Sequence, residues 1–131
     1  MTLEGRRPPA LLVDVDGTLV LWQGTYDERG REDWIPNRAL VSAIERYLWD
    51  NPRTVLVVWS GGGEAYAQEW GARVLGHEDF TPLAKMNAIR WLEAGDVAVD
   101  DATEPAVPLG GRAVRLLTPE AFVAEVAEVL G

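Results

Sequence analysis

The apolar positions of the chain follow two rhythms. Short, nearly uncharged runs occur at 10–15, 54–59 and 97–99, and runs of this kind predict strands buried in a sheet. Residues 113–117 predict a fourth strand and 73–75 a short additional one. Between the runs, apolar residues recur at three- and four-residue spacing. Leu40, Val41, Ile44 and Leu48 share one face of a helix that Pro36 and Asn37 open, that reaches about Trp49 and that Asn51-Pro52 ends. A second helix is expected from Glu64 to Trp70, behind a triple glycine. A third is expected from Pro82 or Leu83 to Glu93, with Gly95 as its stop. The last begins at Thr118-Pro119-Glu120, where an N-cap, a first-turn proline and a first-turn acid coincide; it buries Phe122, Val123, Val126 and Leu130. Segment 20–35 keeps neither rhythm. Its glycines and charges surround Trp22, Tyr26 and Trp34, and it reads as a loop or small hairpin, a flap over the end of the first strand.

Strands alternating with helices predict an α/β fold. The expected form is a Rossmann-like three-layer sandwich, a central parallel sheet with helices on both faces. With 131 residues the chain has room for one domain, 1–131, and a substantial core. In such sheets ligands bind beyond the carboxyl ends of the strands. Asp14 with Asp16, Ser60, and Asp100 with Asp101 all fall at predicted strand ends, so three separate pieces of sequence meet at one edge.

Composition narrows the functional classes. No apolar run approaches the length of a membrane span, and Arg6 and Arg7 are not followed by the long apolar stretch of a signal peptide. Cysteine is absent, which removes disulfides and thiolate metal sites and fits a cytoplasmic location. The net charge of −9 disfavours general binding to nucleic acid, which depends on neutralising phosphates with Lys and Arg. A phosphorylated substrate stays compatible with it, because a bound cation inverts the local sign.

The chemistry lies in four pieces. Asp14-Val15-Asp16-Gly17-Thr18-Leu19 follows four apolar residues, so a simple Asp-Gly turn does not account for Asp14. Ser60-Gly61-Gly62-Gly63 joins a strand to a helix, where a hydroxyl and exposed backbone N–H groups suit a phosphoryl oxygen; it is neither a P-loop nor a dinucleotide fingerprint. Lys85 is the only lysine beside eleven arginines. Asp100-Asp101 follows the third of the short runs. Two like charges about 4 Å apart at an effective dielectric near 20 repel by roughly 4 kcal/mol. Four carboxylates in one pocket would thus consume much of a small domain's roughly 5–15 kcal/mol. One lysine cannot balance them. Oxygen ligands without Cys or a nearby His favour Mg²⁺ over zinc.

In this order the four pieces resemble the haloacid dehalogenase superfamily of phosphotransferases, with the similarity spanning roughly residues 10–105. Asp14 to Leu19 match its first motif, Ser60 the second, Lys85 the third and Asp100-Asp101 the fourth. The resemblance implies that Asp14 is the nucleophile and that Asp16 acts first as acid and then as base. Ser60 and Lys85 would orient and neutralise the phosphoryl group, with Thr18, Gly61 and Gly62 as further phosphate contacts. Asp14, the backbone carbonyl of Asp16, and one or both of Asp100 and Asp101 would hold Mg²⁺. The acid at position 16 argues against dehalogenase and P-type ATPase chemistry. Only 43 residues lie between Asp16 and Ser60 and 24 between Ser60 and Lys85, which leaves no room for the cap domain of larger members. The expected activity is a phosphate-monoester phosphatase. Removal of a 3′-phosphate from a polynucleotide end, transfer to an acceptor other than water, and a metal-binding module without turnover are the alternatives; nucleic acid enters only as a substrate.

Of the six tryptophans, Trp34, Trp49, Trp70 and Trp91 are expected to pack while partly exposed, and Trp59 to lie under the Ser60 loop. Trp22, with Tyr26, is the flap's candidate to stack on a substrate ring, against a simple packing role. His77, the only histidine, belongs to a polar surface turn.

Overall fold

The computed structural model describes residues 8–22, 34–87, 92–93, 95–101 and 115–130, with the side chains of Trp22, 129 and 130 outside that description. In chain order the described elements are β1 (Ala10–Asp14), β2 (Val20–Trp22), β3 (Trp34–Pro36), α1 (Arg38–Asp50), β4 (Val55–Ser60), α2 (Glu64–Leu75), β5 (Thr81–Ala84), β6 (Val97–Val99), β7 (Arg115–Leu117) and α3 (Pro119–Leu130). Five strands form one parallel sheet in the order β5-β4-β1-β6-β7. Counted along the sheet's own strands, this is third, second, first, fourth, fifth. The strand order therefore reverses between β1 and β6, the place where doubly wound sheets open a crevice.

Alternation along the strands divides the core. Leu11, Val13, Leu56, Val58, Val97 and Val99 pack with Leu40 and Ile44 of α1, Ala67 and Trp70 of α2, and Phe122 and Val126 of α3. Ala10, Leu12, Val57, Trp59 and Ala98 form a second buried cluster with Leu92. Right-handed crossovers account for this division. The steps β1 to β4 and β4 to β5 run the same way, which puts α1 and α2 on one face. The step β5 to β6 runs back, and Leu92 of that connection meets the other face. Helical cover of both faces is thus described for one face, with Leu92 as the described residue covering the second.

Most predicted elements recur within a residue or two; the exceptions have local causes. The short strand expected at 73–75 is instead the last turn of α2, which continues past Trp70 until Gly76 takes a left-handed conformation and its N–H caps Ala72 O. Ala67, Gly71 and Leu75, four residues apart, are buried on one helix face, so the helical spacing had simply continued. The helix expected from Pro82 or Leu83 begins later. Thr81–Ala84 is the edge strand β5, pairing Trp59 with Leu83 and Ser60 with Ala84, and the chain turns helical at Lys85. Proline is tolerated at a sheet edge, so Pro82 carried two meanings. Residues 88–91 of that expected helix, with Trp91, lie outside the described residues, as do 113–114 of the fourth strand. Pro36 closes β3 and Asn37 is the N-cap of α1, its side chain accepting from Leu40 N at 3.3 Å. Thr118 Oγ1 accepts from Ala121 N at 3.1 Å at the start of α3, as expected.

The ends of segment 20–35 form the antiparallel ribbon β2–β3, pairing Val20 with Pro36 and Trp22 with Trp34; residues 23–33, including Tyr26, lie outside the described residues. Between Ser60 and Thr81 the chain forms α2 and a short turn. Trp34 packs edge-on against Trp70 at 5.1 Å. Trp49, expected to pack, is 82% exposed; it lies about 140° around α1 from Ile44, on the solvent side. His77 is exposed, its Nδ1 accepting from Asp79 N at 3.0 Å. Among the described residues no helix is long and apolar enough to cross a membrane.

Candidate active site

Four strand ends assemble the site. Asp14 ends β1 and Asp100 follows β6, each one step beyond the paired residues Val13 and Val99. On the other side of β1, Asp14 is level with Trp59 and Ser60 comes next. Lys85 leaves the end of β5 and reaches back over the Trp59 ring, its Nζ 5.3 Å from the ring centroid. It ends between the two central acids, with Nζ 3.3 Å from Asp14 Oδ1 and 2.6 Å from Asp100 Oδ2. Starting the helix at Lys85 rather than at Pro82 is what brings this lysine to the strand edge. Trp59 is buried beneath, as expected.

The turn after β1 is drawn tight by backbone hydrogen bonds from Gly17 N to Val20 O, Leu19 N to Asp14 O and Val20 N to Val15 O, at 2.8, 3.3 and 2.9 Å. Gly17 has φ +76°, and a Cβ there would collide with the Asp101 carboxylate. The backbone angle favours glycine, and a larger residue would also have to push the Asp101 carboxylate aside. Thr18, expected at the phosphate, is fully buried. Its hydroxyl donates to Asp14 Oδ2 at 3.3 Å and accepts from Asp101 N at 3.1 Å, so it joins the first and last acidic pieces.

Asp14, Asp100 and Asp101 each offer a carboxylate oxygen, all within 4.8 Å of one another, and this group can hold a metal ion. The Asp16 carboxylate is not in that group; its Oδ1 accepts from the Tyr66 hydroxyl at 2.8 Å. Ser60 is buried, with its Oγ accepting from Gly62 N at 2.9 Å, while Gly61 and Gly62 are exposed just before the start of α2. The side chain of Trp22 lies outside the described residues.

The electrostatics follow from this crowding. Burial, then the charge of Asp100 and more weakly that of Asp101, push the Asp14 carboxyl up from 3.8 to about 7, against the opposing pull of Lys85. Asp101 is raised too, by burial and by its hydrogen bond and charge interaction with Asp100. Burial lowers Lys85, but its hydrogen bonds to Asp100 and Asp14 and their charges outweigh this, so its ammonium is held above the ordinary lysine value. The single lysine does not restore Asp14 to an ordinary carboxylate.

Two contributors were not legible in the sequence. Tyr66 was one apolar-compatible position in a helix, and only the fold brings it to Asp16, 50 residues earlier. Asn37 was read only as a helix opener, yet its Nδ2 also donates to Thr18 O at 3.0 Å. Asn37 N further donates to Leu19 O at 2.9 Å, so the start of α1 steadies the turn. Compared with family models, with curated proteins and with solved structures, the chain matches none.

Proposed function

We propose that the protein is a Mg²⁺-dependent phosphohydrolase that removes phosphate from a monoester through an aspartyl-phosphate at Asp14, as the resemblance to the haloacid dehalogenase superfamily implies. The observation that carries this reading is the placement of the Lys85 ammonium 3.3 Å from Asp14 and 2.6 Å from Asp100, at the point where the strand order reverses. A carboxylate nucleophile beside a fixed cation suits attack on phosphorus, because it splits one hard displacement into two easier ones. Asp14 attacks phosphorus as the bond to the leaving oxygen breaks, and Asp16 protonates that oxygen. Asp16 then takes a proton from the attacking water, and the Asp14–phosphorus bond breaks. Ser60 and the exposed amides of Gly61 and Gly62 orient the phosphoryl oxygens, and Lys85 neutralises them.

The clustered oxygens of Asp14, Asp100 and Asp101 fit a hard divalent cation, and the raised Asp14 carboxyl marks a place where positive charge is wanting. When bound, Mg²⁺ supplies charge neutralisation for the acids and the transferred oxygens. Cytoplasmic location and a phosphorylated small molecule or exposed polymer end as substrate belong to the same proposal.

The test is phosphate release from an aryl phosphate and from nucleotides, sugar phosphates and 3′-phosphorylated oligonucleotides, with Mg²⁺ and with EDTA, beside Asp14→Asn. Metal-dependent release lost in the variant is the expected result. Release that survives Asp14→Asn rules out the aspartyl-phosphate, and release that needs an added alcohol acceptor identifies a transferase.

A further inference from the structure

We propose that Tyr66 is a positioning residue that aims the Asp16 carboxyl at the leaving group. The inference rests on the phosphohydrolase reading above and goes beyond the four sequence pieces, none of which contains Tyr66. Its hydroxyl donates to Asp16 Oδ1 at 2.8 Å. The ring itself is held on two sides. A Cβ added at Gly62 would come within 3.0 Å of two of its ring carbons, so the ring lies against the loop backbone whose Gly62 N–H is bound to Ser60 Oγ. Behind it stands Trp70, with ring centroids 6.2 Å apart, and Trp70 in turn packs on Trp34 at the start of β3. One side chain therefore ties the turn after β1 to the loop after β4.

A carboxyl group that delivers a proton has two oxygens, and rotation decides which one faces the leaving group. With the Tyr66 hydroxyl donating to Oδ1, the proton of the acid form sits on Oδ2. Oδ2 then gives that proton to the leaving oxygen as the phosphorus–oxygen bond breaks, and later takes one from the attacking water. Positioned acids of this kind contribute roughly 10²–10⁴-fold to rate. Their contribution is largest when the leaving group is basic and vanishes when it departs readily as an anion.

The experiment is Tyr66→Phe in the full chain with Mg²⁺, which keeps the ring on Gly62 and removes only the hydroxyl. Turnover is compared on dinitrophenyl, nitrophenyl and phenyl phosphate. The expected result is a kcat/KM, which reads the first step alone, about ten-fold or more lower on phenyl phosphate and within about two-fold of wild type on dinitrophenyl phosphate. An equal loss of kcat/KM on all three, or no loss, overturns the role. The contact is read separately, without turnover, from the NMR shift of the Tyr66 ring carbon bearing oxygen. It should move on Asp16→Ala, which removes the acceptor, and a shift that stays fixed overturns the proposal even in an active enzyme. A wild-type protein that shows this shift but releases phosphate neither from these esters nor from the nucleotides, sugar phosphates and 3′-phosphorylated oligonucleotides of the wider panel sinks the phosphohydrolase reading, and the role of Tyr66 in it, while leaving the hydrogen bond intact.

Discussion

Both edges of the sheet bury aspartates, and they treat them in opposite ways. At the amino edge Asp96 is fully buried, with Oδ1 accepting from Ala10 N at 3.0 Å and Oδ2 from Glu93 N at 2.8 Å. Its carbonyl accepts from Arg115 N at 3.1 Å, so one residue ties together the starts of β1, β6 and β7. At the carboxyl edge Asp14 and Asp100 are buried almost as deeply, but among the described residues they face each other, Asp101 and the Lys85 ammonium. Backbone donors supplied by the fold stabilise a buried carboxylate. A carboxylate surrounded by others depends on something the fold does not supply. Burial alone therefore does not separate a structural acid from a reactive one; the identity of the partners does.

The hardest way to break this contrast is to neutralise one acid at each edge. Asp14→Asn should lower turnover by more than about a thousand-fold, as loss of a nucleophile does. It should leave the melting temperature of the metal-free protein unchanged or higher, because one of three crowded charges is gone. A large fall in melting temperature would put Asp14 in the same structural class as Asp96. Asp96→Ala should do the reverse. One buried and one half-buried N–H lose their acceptor at about 1–3 kcal/mol each, so urea denaturation should register a loss of roughly 2–6 kcal/mol. The fraction that stays folded should keep kcat within about two-fold. A loss below about 1 kcal/mol would mean that other acceptors replace this carboxylate, and the comparison of edges would fail.

The two edges were also unequally legible in the sequence. The carboxyl edge announced itself because acids following apolar runs are chemically improbable, so the order of residues alone assigns Asp14, Ser60 and Asp100 to strand ends. Asp96 gave no such signal. It follows Gly95 in what reads as an ordinary turn, and its worth depends on Ala10, 86 residues away. The same limit hid Tyr66, since a contact between a helix and a distant turn leaves no periodicity. Pro82 misled because it suits both a first helical turn and an edge strand, and only the need of β4 for a partner decides between them. The extension of α2 to Leu75 was present in the four-residue spacing of Ala67, Gly71 and Leu75, but the β-branched Val74 invited a strand.

A gentler perturbation uses pH. The Asp14 carboxyl titrates near 7 in the fold and at its ordinary 3.8 when unfolded. Between those values the folded state binds the extra proton, so raising pH through this window removes stability. Asp101, raised as well, acts in the same direction. Lys85, also raised, carries the same sign of linkage but at higher pH. Its stabilisation is complete below its ordinary 10.5 and is lost only above it, outside the window. Metal-free protein should therefore melt at a lower temperature at pH 8 than at pH 5.5. Millimolar Mg²⁺, which binds the folded site and must displace that proton, should raise the melting temperature more at pH 8. An equal Mg²⁺ effect at both pH values would detach the acidic cluster from the metal.

The smallest expected effect comes from Thr18→Val, which probes a place where the carboxyl edge imitates the amino edge. There a backbone donor, Asp101 N, reaches Asp14 through the Thr18 hydroxyl, which passes a hydrogen bond on to Asp14 Oδ2. Valine preserves the shape and removes the relay, leaving Asp101 N without this acceptor at a cost of about 1–2 kcal/mol. The Asp14 carboxylate loses a donor as well, so metal-free stability at pH 8 should fall further than at pH 5.5, where Asp14 is protonated. Thermal melts at the two pH values give that difference directly. A loss equal at both would mean that Thr18 serves Asp101 alone, and that the charge on Asp14 is offset without help from its hydroxyl.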